Sequence, residues 1–212
     1  MLKADVFSEH VEAYEAWYEK YPGIYNSEVA ALREQLLKLP ANINGIEVGV
    51  GTGRFAQPLG IKEGIEPSKE MAEKAMKRGV EIMEGVAERL PYRDLHFDFV
   101  LFVTICHFNE IKAAFAQAYR VLKHGGAIII GFIDKHGSIA KQYEEKRNGS
   151  TFFRHATFYT VNRIEKLLKE TGFRNFDYNQ TLFGTLEQIN KIQSPKQGFG
   201  EGSFVVVKAI KK

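Results

Sequence analysis

The chain has 212 residues, enough for one domain with a single substantial core and a small elaboration. Hydrophobic residues at 44% and charged residues at 26% exclude a disordered chain, and a formal charge of +3, with Lys and Arg interspersed among Asp and Glu, excludes a strongly basic nucleic-acid or membrane surface. One cysteine excludes an internal disulfide, and the opening MLKADVFSEHVEAYE has no apolar signal region. No apolar run reaches the length of a membrane span, so a cytoplasmic protein is expected.

Residues 9–21 are expected to be helical, since Tyr14, Trp17, Tyr18 and Tyr21 share one face, and Pro22-Gly23 stops that helix. Ser27 is placed to cap a second helix running to about Leu39, before Pro40. Strand and helix then alternate. Residues 45–49 and 61–66 read as short strands around a helix opening near Gly53, and Ser68 caps a helix closed by Gly79. Residues 80–84 and the apolar FDFVLFVT, 97–104, are further strands. The stretch NEIKAAFAQAYRVLKHGG is a helix ending at Gly125, followed by the buried strand AIIIGFI. Apolar strands separated by helices predict a parallel sheet covered on both faces.

The last third changes character. Residues 137–158 are polar and aromatic without a period, and 161–171 are helical up to Gly172. Two closing strands, FRNFDYNQTLF and SFVVVKAI, are separated by roughly twenty residues, which is long for a hairpin loop. That loop, 184–202, is expected to fold in part and shape a pocket. The three lysines in 207–212 read as a short solvated tail.

The stretch IEVGVGTGRF, 46–55, carries the main functional signal. Gly49, Gly51 and Gly53 permit positive φ and close approach of backbone to a ligand, ahead of a helix N-terminus that favours an anion. Two cofactor classes use such a turn. A dinucleotide fingerprint is met loosely by Gly51, Gly53 and Ala56. Against it, Glu47 would repel a pyrophosphate and would suit the cationic amino-acid end of S-adenosylmethionine. Glu66, in IEPS, is placed to accept hydrogen bonds from two ribose hydroxyls, closer to the glycines than the roughly twenty residues of a dinucleotide site. The stretch EGVAERLPY has no place in the dinucleotide pattern at all.

With these motifs in order, residues 45–133 and the two closing strands resemble a class I S-adenosylmethionine-dependent methyltransferase of the small-molecule, type 11 group. The family's E/D-x-G-x-G-x-G motif stands here as Glu47, Gly49, Gly51 and Gly53, with Thr52 between the last two, and its ribose-binding acid as Glu66 beside Pro67. Its D-A-E-x-L-P-F motif stands as Val86 to Tyr92, where valine replaces the aspartate and leaves Ala87 and Glu88 to carry the adenine edge. Its F-D-x-V strand is FDFV, and its R-V-L-K-P-G-G turn is RVLKHGG, with His124 in place of proline away from the cofactor.

The resemblance implies an α/β, Rossmann-like doubly wound sheet of seven strands in the order 3-2-1-4-5-7-6, with strand seven antiparallel. Residues 1–212 would form one domain: a helical lid (1–40), a cofactor core (41–135), and substrate-side elements with the closing strands (136–212). Cofactor would lie over the ends of strands one, two and four, reaching Val103 and Thr104. His107 stands next to the expected methyl position and suits either a general base or, the favoured role, a pocket wall. Tyr14 and Tyr18 would dock the lid and offer an apolar wall with hydroxyls to the acceptor. STFFRHATFYT, 150–160, is either core under a loop or an aromatic substrate pocket. Cys106 reads as buried filler, and His10, His96, His136 and His155 as solvated residues without metal spacing, so no metal is expected.

The reaction so implied is methyl transfer from S-adenosylmethionine to a small molecule at N, O or S, leaving S-adenosylhomocysteine, by a monomer or homodimer. The N/D-P-P-Y/F motif of amino-methylating nucleic-acid enzymes is missing (VTIC stands there), as are the Pro-Cys of cytosine C5 chemistry and the several thiols of arsenite methylation. A dinucleotide-dependent oxidoreductase and a non-catalytic S-adenosylmethionine-binding protein are the alternatives.

Overall fold

The computed structural model describes residues 3–154 and 156–212, so the reading of His155 lies outside the described residues. Three helices open the chain: α1 (Lys3–Glu9), α2 (Val11–Lys20) and α3 (Pro22–Leu36). Pro22 begins α3 as well as ending α2, because its missing N–H and fixed φ suit the first helical position. Ser27 is not a cap. It is buried inside α3, where its hydroxyl donates to the Gly23 carbonyl at 2.6 Å and accepts from the Gln193 N–H at 2.8 Å.

The alternating middle follows as β1 (Gly45–Val48), α4 (Ala56–Leu59), β2 (Glu63–Glu66), α5 (Lys69–Lys77), β3 (Glu81–Glu84), β4 (Phe97–Val103), α6 (Ile111–Val121) and β5 (Leu122–Ile133). Ser68 caps α5 as expected, accepting from the Met71 N–H. Strand β5 starts three residues before Gly125, so α6 is shorter than the helix its sequence suggests. The chain closes with α7 (Ser138–Glu145), α8 (Val161–Thr171), β6 (Phe173–Thr181), β7 (Lys196–Gln197) and β8 (Phe204–Lys211). Helix α7 falls in the stretch that carries no readable period.

The sheet runs β3-β2-β1-β4-β5-β8-β6-β7. Strands β1 to β5 pair in parallel, and β8 lies antiparallel between β5 and β6. This is the expected order with one strand added, eight rather than seven. The extra strand, β7, comes from the long loop, which folds back to pair Asn179 with Gln197 and Gln180 with Lys196 and so covers the free edge of β6.

The strands are apolar on both sides because both faces are covered. In β4, Val100 and Phe102 pack under α6 and α8, whereas Phe99, Leu101 and Val103 face the cluster built on Ile24, Val29 and Leu32 of α3. The tail is solvated only in part: Lys212 is exposed, whereas Lys211 is buried, its ammonium donating to the carbonyls of Tyr119 and Leu122 at 2.6 and 2.7 Å. These are carbonyls that the end of α6 leaves without helical partners.

Candidate active site

The strands β1 to β4 all point their carboxyl ends to one edge, and the loops leaving them wall a cavity of about 270 Å³. The glycine turn leaves β1 with Gly49 at φ +73° and Gly51 at φ +57°. Its backbone is tied to β2 by hydrogen bonds from the Gly49 and Val50 N–H groups to the Ile65 carbonyl, at 2.8 and 3.0 Å. Glu66 at the end of β2 is fixed from two sides: one carboxyl oxygen accepts the Gly51 N–H at 2.8 Å, the other the Ser68 N–H at 2.9 Å. Each oxygen keeps a lone pair, and the residue borders the cavity with Pro67.

The glycines do different jobs. A Cβ on Gly51 would stand on the cavity side, with Tyr14 Oη nearest at 3.5 Å. A Cβ on Gly53 would lie 3.2 Å from Ala75 in α5. Gly53 therefore lets the turn pack on α5 and does not border the cavity, and neither does the buried Thr52, whose carbonyl accepts from Arg78 at 2.7 Å. Glu47 also sits behind the wall, 1% exposed, with Oε2 lacking any partner. Burial drives its carboxyl well above the usual range; the Ala56 N–H opposes this and the Glu66 charge adds to it.

The remaining expected residues come together on the wall. Ala87 and Glu88 follow β3, Val103 ends β4 and Thr104 follows it, at φ +58°, turning the chain into the short helical turn Ile105–His107. Glu88 serves twice: it borders the cavity, and its carboxyl accepts the Glu110 N–H at the start of α6, at 3.1 Å. Val86 lines the cavity where the family's aspartate would stand, and His124 lies far off beside the Lys212 carbonyl. Cys106 is buried beside Ala140 and Phe158.

The amino-terminal helices close the cavity from above. Tyr14, Trp17 and Tyr18 of α2 line it, and the Tyr18 hydroxyl donates to Tyr14 at 2.8 Å. Burial raises the Tyr14 hydroxyl far above the tyrosine range, so it stays protonated. The Phe7 ring stacks on Phe152 and meets His107 edge-on at 4.8 Å. A clasp holds α2 down, with Glu15 between Arg54 at 2.6 Å and Arg78 at 2.5 Å. Burial works to raise the Glu15 carboxyl, and the hydrogen bonds from the two guanidiniums overcome it, holding it at about 2.

The far end of the cavity, under β5 and β6, contains residues that sequence reasoning missed. Ile139 and Tyr143 of α7, Leu182 and Leu186 after β6, and Glu28 of α3 all border it. Phe152 and Phe153 join them from the segment read as either core or pocket, which is both: Phe153 also packs on the buried Cys106, Ala140, Ala156 and Phe158. A signal for Glu28 was present: in IYNSEVAAL it stands at i+4 from Ile24 and i−4 from Leu32, a charge on the buried face of a helix. Three carboxyls (Glu28, Glu66, Glu88) border the cavity, and no Lys or Arg does among the described residues.

Fold and site together define a doubly wound α/β protein with a ligand crevice at the strand ends, where the order reverses between β1 and β4. A family model described as a methyltransferase domain matches residues 46–130. An S-adenosylmethionine-dependent methyltransferase of Thermotoga maritima, described as a possible histamine N-methyltransferase, shares 41% identity and a TM-score of 0.93, covering 99% of this chain and 100% of its own. A protein of Methanocaldococcus jannaschii, described as uncharacterized, is 42% identical over 98% of this chain and 99% of its own length. The demethylmenaquinone methyltransferase of Chlorobaculum tepidum is 29% identical over 66% of this chain and 69% of its length.

The chain belongs to the S-adenosylmethionine-dependent methyltransferases, and S-adenosylmethionine is its methyl donor. The residues present fit that group. Glu66 offers acceptors to a diol, and the bare backbone at Gly51 leaves room where a side chain would intrude.

Proposed function

We propose that this methyltransferase acts on a small organic acceptor, at N, O or S, held in the aromatic half of the cavity. The observation that carries this reading is the continuity of one cavity from Gly51 and Glu66 to Trp17, Tyr143 and Phe153, beneath α1 and α2. Side chains from α1, α2, α3 and α7 wall this cavity, which suits a small molecule, whereas a polymer needs an open groove.

In this reading Glu66 receives the donor's ribose hydroxyls, and Gly49 and Gly51 let the backbone approach its amino-acid end, with Glu47 beneath. Pro67, Ala87 and Glu88 border the adenine. When bound, the donor supplies a methyl group already activated on a sulfonium, so the chain has no bond to polarise. Its residues position the acceptor and exclude water. Val103, Thr104 and His107 form the wall between the two halves. His107 is enclosed by the rings of Phe7 and Phe153, an arrangement suited to shaping the acceptor site.

The test is formation of S-adenosylhomocysteine with a panel of small amines, alcohols and thiols, histamine among them because the Thermotoga maritima neighbour is described by it. Turnover with a small acceptor is expected. Methylation of RNA or protein with none of small molecules would refute the reading.

A further inference from the structure

Among the described residues, one carboxyl borders the acceptor half of the cavity. Glu28 sits in the middle of α3, whose Ile24 and Leu32 pack against the sheet, and it faces the cavity with 6% of its surface exposed. Among the described residues no hydrogen bond or ion pair holds its carboxyl. The titratable groups that face it are the hydroxyls of Tyr18 from α2 and Tyr143 from α7, both themselves raised by burial. Neither brings a positive charge. An unmatched carboxyl in such a wall is unfavourable for folding, and groups of this kind concentrate where a ligand completes them.

The chemistry of the completing ligand follows from its surroundings. A carboxylate or phosphate would meet Glu28, Glu66 and Glu88 with no Lys or Arg in the wall. A neutral alcohol hydrogen-bonds the protonated Glu28 carboxyl at most, and brings no cation for the ring faces to attract. A protonated amine pairs with it, and the rings of Trp17, Tyr18 and Tyr143 add attraction for a cation while covering an apolar body.

We propose that Glu28 is the acceptor-recognition residue, and that the methyl acceptor is an apolar amine that binds as its ammonium on the Glu28 carboxylate and, before transfer, gives one proton to that carboxylate, which frees the nitrogen lone pair for the methyl group. This deepens the reading of the aromatic half as the acceptor site and rests on it. Burial raises the Glu28 carboxyl to about 8, so at neutral pH it carries a proton in the ligand-free protein. An arriving ammonium expels that proton, which makes binding proton-linked.

The experiment is calorimetric titration of the full chain, saturated with S-adenosylhomocysteine at neutral pH, in two buffers of different ionisation enthalpy. The probes are phenethylamine, histamine and hexylamine, with 2-phenylethanol and 3-phenylpropionate as uncharged and anionic counterparts. At least one amine is expected to bind about tenfold or more tighter than the counterparts, releasing up to about one proton. Glu28→Gln is expected to bind S-adenosylhomocysteine as the parent does and to melt no lower, yet to lose about tenfold or more in amine affinity together with the proton release. A merely structural Glu28 would lower the melting temperature and leave amine affinity alone. Should Glu28→Gln not fold, Glu28→Leu replaces it, and the buffer comparison on the parent stands without any variant. Binding of S-adenosylhomocysteine with no amine binding, with amine and alcohol bound alike, or with the variant's amine affinity intact overturns the proposal and spares the donor site. Failure of the parent to bind S-adenosylhomocysteine overturns the functional reading, and the proposal with it.

Discussion

Two glycines two residues apart should fail in opposite ways when each gains a methyl group. Gly51 and Gly53 both have positive φ, +57° and +80°, so alanine at either costs roughly 1–2 kcal/mol in backbone strain. At Gly51 nothing else is lost, since the new Cβ meets only Tyr14, at the ordinary contact distance of 3.5 Å and more. At Gly53 the Cβ lies 3.2 Å from the Ala75 backbone and side chain, which adds roughly 1–3 kcal/mol of overpacking. Melting by calorimetry should therefore fall by about 2–8 °C for Gly51→Ala and about 4–20 °C for Gly53→Ala. Affinity for S-adenosylhomocysteine should order the pair the other way. Gly51→Ala puts its methyl into the cavity and should weaken binding about tenfold or more, at least about 1.4 kcal/mol, while folded Gly53→Ala binds like the parent. Parental affinity in a folded Gly51→Ala would refute the placement of the donor, as would a Gly53→Ala that keeps its stability and loses binding.

Three further outcomes are expected. Glu66→Ala removes the acceptor of two backbone N–H groups and of the proposed ribose contacts, and should weaken S-adenosylhomocysteine by about 1.5–3 kcal/mol in the same titration. Glu15→Gln should cost about 1–3 kcal/mol of stability, read by denaturant unfolding, through its lost charge-assisted bonds to Arg54 and Arg78. Because the Glu15 carboxyl is held at about 2, below its ordinary 4.5, its stabilisation is present above 4.5 and fades as pH falls toward 2; the gap between parent and variant should close over that window. His107→Gln should leave the methyl-transfer rate within about tenfold, whereas loss of a general base costs about 10²–10⁴-fold, so a drop of that size in kcat would make His107 the base.

The core of this protein was legible because its signals are local. Glu47, the glycines and Glu66 occupy short stretches, and apolar strands such as FDFVLFV carry their own burial signal. That Gly53 and Thr52 do not border the cavity was beyond a motif, since which way a turn residue faces depends on α5 packing beneath it. The acceptor half was less legible for a related reason. Tyr14, Trp17 and Tyr18 showed as a stripe, but Tyr143, Leu182 and Leu186 converge from segments far apart in sequence. Helix α7 has few apolar residues to set a period, and β7 exists only because the edge of β6 is there to pair with. Lys211 looked like a tail residue because nothing in the sequence reveals the free carbonyls at the end of α6.

The central claim is that IEVGVGTGRF, with Glu66, holds a methyl donor rather than a dinucleotide. Parallel calorimetric titration of the purified chain with S-adenosylmethionine, S-adenosylhomocysteine and NAD tests it most directly. The account predicts saturable one-site binding of the first two and none of NAD. Binding of NAD alone would contradict it, and would return Gly51, Gly53 and Ala56 to the dinucleotide turn they loosely match.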